Sequence, residues 1–169
     1  PYIAGLKGAG ECLVSQPDLP LKFYIISRDG SSSPTVIEGP SKAFEIHTPF
    51  AHDGVPIDDS FAVPSSEAND EFMTLYSAGW DDFKEGTFLG EWGASQEWNF
   101  PIASSLTPDF NNIDSTVLWR YVVNITKKTV ERTAAPGCEN LCIDHPHVNP
   151  LYEGKRECRF VYASLSNFR

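Results

Sequence analysis

The sequence predicts an all-β fold made of many short strands. Three observations predict it. Apolar residues recur every second position in most of the ordered stretches. Gly, Pro and Asp-Gly breaks punctuate the chain between those stretches. Helical periodicity is nearly absent. In order, "LKFYIISRDG" (21–30) alternates and stops on Asp29-Gly30, a strand followed by a turn. "SSSP" is a loop, "TVIEG" a second short strand, and Pro40 a break. "AFEIHTPF" (43–50) is a third strand, "AHDGVP" a turn, and "IDDSFAVP" (57–64) a fourth strand.

Residues 65–115 read differently, rich in Asp, Glu, Ser, Gly and Trp and without either period over "SAGWDDFKEGTFLGEWGASQEW". They are expected to be an irregular insertion. Within it, the spacing of Phe72, Leu75 and Tyr76 predicts a helical piece in "EANDEFMTLYSAG". Order returns at "STVLWRYVVNI" (115–125). There Trp119, Tyr121, Val123 and Ile125 form one face, and Leu118, Arg120, Val122 and Asn124 the other. "TKKT" turns the chain and "VERTA" returns it as a hairpin. "PGCENLCIDHPHVNPLYEGK" is a loop-rich connector, and "CRFVYASL" (158–165) is the last strand. Short strands of this kind build a sandwich, a barrel or propeller blades.

The chain has 169 residues, enough for a single domain with a real core. With 41% hydrophobic and 12% aromatic residues, its composition is that of a packed globule, not a disordered chain. Its formal net charge is −10, and no Lys/Arg-rich run occurs, so nucleic acid is not an expected partner. No apolar run approaches the roughly 18–20 residues of a membrane span. Residue 1 is proline, and no signal peptide is visible, which favours a cytoplasmic location. Four cysteines are too sparse for a disulfide scaffold. The triplet Asn124-Ile125-Thr126 fits a glycosylation sequon but sits inside a strand pattern.

The four histidines fall into two pairs, His47 with His52 and His145 with His147. Imidazole is the commonest metal ligand, so each pair is a candidate. His47 lies on the less apolar face of its strand, near where Pro49 should end pairing. Positions 47 and 52 face opposite ways on a regular strand, so His52 reads as a solvated turn residue. The second pair sits in "CENLCIDHPH", a C-x3-C-x2-H-x-H set of Cys138, Cys142, His145 and His147. Its donor types suit zinc, but its spacing is not that of a usual knuckle. A Cys138–Cys142 disulfide or two free thiols are the competing readings. Asp58-Asp59 reads as a solvated or turn-capping pair. No G-x-S-x-G, phosphate loop or H-E-x-x-H motif occurs.

Two segments, in this order, resemble the carotenoid cleavage oxygenases, which include the retinal-forming and lignostilbene-cleaving enzymes. Residues 21–61 end in "IHTPFAHDG", which is similar to the family block F-H-x-x-N-A-[aromatic]-E-D-G. Residues 118–164 resemble the family hairpin L-x-R-[WY]-x-[IL]-[ND] followed by E-[FL]-P-x-[IV]-[ND] and G-[RK]. Ile46, Pro49 and His52 depart from the first block. His145 stands where the second block usually carries an apolar residue.

The resemblance implies a fragment, or a degenerate relative, of such an enzyme: part of a seven-bladed β-propeller, roughly three blades at about 40–50 residues each. It also implies a non-haem Fe(II), one per intact chain, held by four histidines. Iron and O2 would cleave a conjugated double bond of a carotenoid, apocarotenoid or stilbene into two carbonyl products. His47 matches the third of those histidines, and the other three would fall outside residues 1–169. Iron binding by this stretch alone is therefore expected to be weak or absent. Asp144 falls where the family places a glutamate that accepts the other ring N–H of a liganding histidine. The implied partners are an apolar polyene or stilbene and O2, with peripheral membrane contact in the intact enzyme. Two other classes of function stay open. One is a non-catalytic binding module for carbohydrate or protein that uses exposed Trp80, Trp92 and Trp98. The other is zinc held by the Cys/His set.

Overall fold

The computed structural model describes residue 4 and residues 18–58, 61–81 and 115–166. Eight strands run through them: β1 (Pro20–Ile25), β2 (Thr35–Ser41), β3 (Phe44–Asp53), β4 (Phe72–Trp80), β5 (Val117–Asn124), β6 (Thr129–Ala134), β7 (Cys142–His147) and β8 (Tyr162–Ser166). They form three antiparallel sheets, β1-β2, β3-β4-β5-β6 and β7-β8. The four-stranded sheet is a meander in sequence order, the form of one propeller blade, with a two-stranded piece of sheet on either side. The only helical elements among the described residues are two short 3-10 turns, Ser65–Glu67 and Pro150–Tyr152.

β5 organises the packing. Trp119, Tyr121 and Val123 face β1 and β2, where Phe23, Ile37, Tyr121 and Val123 form one buried cluster. The Phe23 and Tyr121 rings lie 5.3 Å apart in that cluster. On the other face, Leu118 packs with Ala135 and Ile143, which brings β7 against the central sheet. The two faces read from alternation are therefore both core faces. One backbone bond locks β7 in place, Ile143 N–H donating to Thr116 O at 2.8 Å, while Ala135 N–H donates to Leu118 O at 2.7 Å and extends the pairing of β6 with β5. The Thr116 hydroxyl also donates to Ile143 O, at 2.7 Å.

Several expectations are corrected. The helical piece in "EANDEFMTLYSAG" is instead β4, hydrogen-bonded to β3 on one side and β5 on the other. A buried central position between two partners overrides the local spacing of Phe72, Leu75 and Tyr76. The irregular stretch thus does not begin at residue 65. Residues 82–114, which hold most of it, lie outside the described residues. The described part of "IDDSFAVP" forms no strand, whereas the loop-rich connector contains β7. β2 runs through Pro40 to Ser41, which is compatible with its place in a two-stranded sheet.

β3 does not stop at Pro49. It continues to Asp53 with register shifts between Glu45 and His47 and between His47 and Phe50. Each shift places an extra β3 residue against β4, a β-bulge. Pro49 has no N–H to give the ladder, so a bulge accommodates it. Gly79 permits the other: a Cβ there would meet Phe44 O at 2.2 Å and Glu45 Cα at 2.9 Å.

Beside this irregularity lies a compact polar cluster. Arg132 sits 3.6 Å over the Trp119 ring and pairs with Glu45 at 3.2 Å. It also donates to Trp80 O at 3.0 Å. The Tyr121 hydroxyl donates to the same Glu45 oxygen. Burial pushes the Glu45 carboxyl above its ordinary 4.5, against the hydrogen bonds from Tyr121 and Ser77 and the charge of Arg132. Burial, with Glu45 alongside, likewise pushes the Tyr121 phenol up.

Two outcomes follow for stability. Gly79→Ala should cost at least about 1–3 kcal/mol, because β3 and β4 backbones must separate. A denaturant midpoint unchanged from the parent would disprove that constraint. Arg132→Met should cost about 3–5 kcal/mol near pH 7, by stranding a buried carboxylate. A carboxyl with a raised folded-state pKa stabilises below its unfolded value and loses that contribution as pH rises. Losing Arg132 raises the Glu45 value further. The penalty should therefore shrink towards pH 4.5 and grow above it. A penalty independent of pH would reject the pairing.

Candidate metal centre

His47 sits between the two bulges of β3, opposite Ala78 of β4. Bulges re-aim side chains, and here the face that carries His47 looks onto β7. Across the gap between sheets, His47 Nδ1 lies 2.7 Å from Asp144 Oδ1, a contact between residues 97 positions apart. With its proton on Nδ1, the ring donates to the carboxylate and leaves Nε2 unprotonated, its lone pair available to a metal. Both side chains are 37% exposed, so the pair is half-buried and reachable from solvent.

Asp144 is held from several directions. Its Oδ1 also accepts the His145 backbone N–H at 2.7 Å, and its carbonyl accepts the Ser164 hydroxyl at 2.8 Å. Burial alone would raise its pKa. The hydrogen bonds from the His145 backbone and from the His47 ring outweigh burial and hold the carboxyl below its ordinary range. It is therefore an anion at neutral pH. The short aspartate side chain spans the distance because β7 lies close against β3. His145 completes the group: its ring centroid is 4.7 Å from that of His47. One donor atom from each of His47, Asp144 and His145 lies within 4.8 Å of the others. Sequence reading grouped His145 with the cysteines instead. Its direct adjacency to Asp144 was the available signal.

The other candidates part from this site. The register sets His47 against Ala78 and His52 against Thr74. These two β4 residues are four apart and share a face, so the bulge between His47 and His52 cancels their expected opposition. His52 is nonetheless no solvated turn residue. It is 6% exposed, stacks on Phe50 and is bonded through Nδ1 to Asp53 O at 2.9 Å. It joins no metal-holding group among the described residues.

Cys138, Cys142 and Cys158 are free thiols, so Cys138 and Cys142 form no disulfide. No three of Cys138, Cys142, His145 and His147 come together as donors. The zinc reading is corrected accordingly: β7 is an extended strand and does not curl its donors around a point. His147 instead stacks on Tyr162 at 5.6 Å.

Asp58 is paired with the buried Arg120 at 3.3 Å rather than simply solvated, and Asp59 lies outside the described residues. Asn124 is 3% exposed and donates to Glu67 and Asp70 at 3.1 and 2.8 Å. Its amide is committed to the fold, which argues against glycosylation. Trp80 is buried at 6% exposure, not a surface contact, and Trp92 and Trp98 lie outside the described residues. A cavity of about 280 Å³ near Tyr152, Cys158 and Phe160 is not lined by His47, Asp144 or His145. No helix among the described residues is long and apolar enough to cross a membrane.

Comparison with known proteins agrees with this architecture. The apocarotenoid-15,15'-oxygenase of Synechocystis sp. is 25% identical over 170 aligned residues, which cover 99% of this chain and 27% of that protein. A crystal structure of the cobalt-substituted Synechocystis apocarotenoid oxygenase (ACO) matches with a TM-score of 0.67 at 24% identity, over 99% of this chain and 28% of that one. An ACO/RPE65 chimera matches with a TM-score of 0.62 at 26% identity, over 99% and 27% respectively. The chain thus spans little more than a quarter of the length of these relatives, and its sheets are part of their all-β fold. The family profile described as retinal pigment epithelial membrane protein, RPE65, matches residues 2–168. By that near-complete match, the chain belongs to the RPE65/carotenoid oxygenase family.

Proposed function

We propose that this chain is the part of a non-haem Fe(II) dioxygenase that supplies one iron-holding imidazole, His47, and the carboxylate that aims it, Asp144. The reaction is oxidative cleavage of a conjugated double bond in a carotenoid, apocarotenoid or stilbene. One carbon–carbon double bond and one O2 become two carbonyl groups. One observation carries the reading: the 2.7 Å contact between His47 Nδ1 and Asp144 Oδ1, made across two sheets. Carboxylates in this position fix the tautomer and ring orientation of a metal-bound histidine. They also raise its basicity as a ligand.

The donor chemistry fits a ferrous site, since imidazole suits iron and Nε2 is the nitrogen left for it. When bound, iron supplies the redox-active centre for O2-dependent cleavage. The chain's own residues hold and aim. Asp144 keeps the Nδ1 proton on His47, and β7 keeps Asp144 within reach. The remaining histidines of a four-histidine site would come from outside residues 1–169, so these residues alone are expected to give no turnover. A polyene substrate partitions into membranes, and peripheral membrane contact belongs to the same reading.

The test is metal analysis and cleavage assay on the longer protein that contains this chain with its histidine-bearing flanks. His47→Ala should remove most of the iron and the cleavage. Asp144→Asn should lower iron affinity or activity by about 10–100-fold while leaving the fold intact. Iron and turnover retained in His47→Ala would overturn the assignment.

A further inference from the structure

We propose that Thr116 is a positioning residue for the candidate iron site: its hydroxyl and its carbonyl together clamp Ile143, and the clamp sets the direction of Asp144. This deepens the reading above and rests on His47 as an iron-holding imidazole.

Thr116 stands just before β5, outside any strand, and is 7% exposed. It makes two hydrogen bonds to one residue of β7. Ile143 N–H donates to the Thr116 carbonyl at 2.8 Å, and the Thr116 hydroxyl donates to Ile143 O at 2.7 Å. Both lengths are those of well-formed bonds. In a regular ladder a backbone N–H would serve Ile143 O, and here a side chain takes its place. The remaining polar neighbour of the hydroxyl is Cys142 Sγ at 3.8 Å. None of these bonds goes to His47 or to Asp144, so Thr116 acts on the site only through the β7 backbone.

The Ile143 carbonyl belongs to the planar peptide unit that ends in the Asp144 nitrogen. Holding it fixes one side of the Asp144 Cα. The other side is held by Ser164, whose hydroxyl donates to Asp144 O at 2.8 Å. Asp144 thus hangs between two pinned peptide units, and its Cα–Cβ bond keeps one direction. That direction carries the carboxylate to His47 Nδ1 at 2.7 Å. The clamp matters because β7 becomes irregular immediately afterwards. Its register on β8 shifts between Asp144 and His147, and His145 has a φ of +49°. A bulge disrupts the ladder on that side, so Asp144 depends on what holds Ile143.

Thr116→Val deletes the hydroxyl, keeps the shape and leaves Ile143 O short of that donor on a residue 3% exposed. Thr116→Ser keeps the hydroxyl. Thr74→Val is the control. Thr74 on β4 is fully buried and its hydroxyl donates to Gly54 O at 2.8 Å, with no link to β7. The variants are made in the longer protein that contains this chain, with isotope-labelled histidine, and circular dichroism checks the fold. The first readout is the downfield imidazole N–H resonance of the metal-free protein, identified as the signal that Asp144→Asn removes. The second is Fe(II) affinity.

Thr116→Val should move or broaden that resonance and lower Fe(II) affinity about tenfold, the lower end for loss of an outer partner of a metal ligand. Thr116→Ser should restore both, and Thr74→Val should change neither. A folded Thr116→Val with the parent resonance and affinity would overturn the proposal. So would an equal effect of Thr74→Val, which would reduce the role to general stability. If the valine variant does not fold, Thr116→Ser and Thr116→Ala differ by the hydroxyl alone and give the same comparison. Iron retained in His47→Ala would sink the earlier reading, while the metal-free resonance still judges Thr116.

Discussion

Burial of β5 on both faces is the constraint on which the rest depends. Tyr121 and Val123 are fully buried against β1 and β2, and Leu118 is buried against Ala135 and Ile143. A strand covered on both sides fixes the positions of both neighbouring sheets. The β7 side matters most for the site, because Ile143 immediately precedes Asp144. With Ile143 packed on Leu118 and bonded to Thr116, the backbone that carries Asp144 is held where its carboxylate reaches His47 of β3. The hydrogen bond to His47 thus rests on hydrophobic contacts that contain no polar atom of the site.

The central sheet departs from regularity just where it carries its histidine. Two bulges flank His47, one permitted by the missing side chain of Gly79 and one required by the missing N–H of Pro49. An unbroken ladder would have kept strict alternation along β3. The polar cluster of Glu45, Tyr121 and Arg132 lies beside the first bulge and ties β3 to β5 and β6. Charge and aromatic contact there offset ladder bonds that the bulge disrupts.

How much of this was legible in the sequence depended on the range of the interaction. Alternation marked β1, β2, β3 and the β5–β6 hairpin, and it sorted the residues of β5 correctly between faces. Alternation failed at β4, where Ser77, Ala78 and Gly79 have weak strand preference and only pairing on both sides explains the conformation. It failed at β7 for a related reason, since "CIDHPH" has one strongly apolar residue and takes its extended form from Ile143 docking. The facing of His47 and His52 was misread because a bulge is a property of two strands, and one strand's sequence does not contain it. The separate roles of His47 and Asp144 came from a family resemblance, and that the two pair with each other is seen only in the fold. Periodicity held no trace of a contact 97 residues long.

The His47–Asp144 hydrogen bond acts on the fold as well as on the aim of the ring. His47 belongs to the central sheet, while Asp144 belongs to the next one. The bond forms only when the sheets are docked, so it adds about 0.5–1.5 kcal/mol to the docked state, the contribution of a typical intramolecular hydrogen bond. The larger part of the docking comes from Leu118, Ala135 and Ile143, which are buried together. The pair is half-exposed and shares those sheets with a core that is not, so the apolar contact sets the position of the strands and the polar contact sets the orientation of the ring.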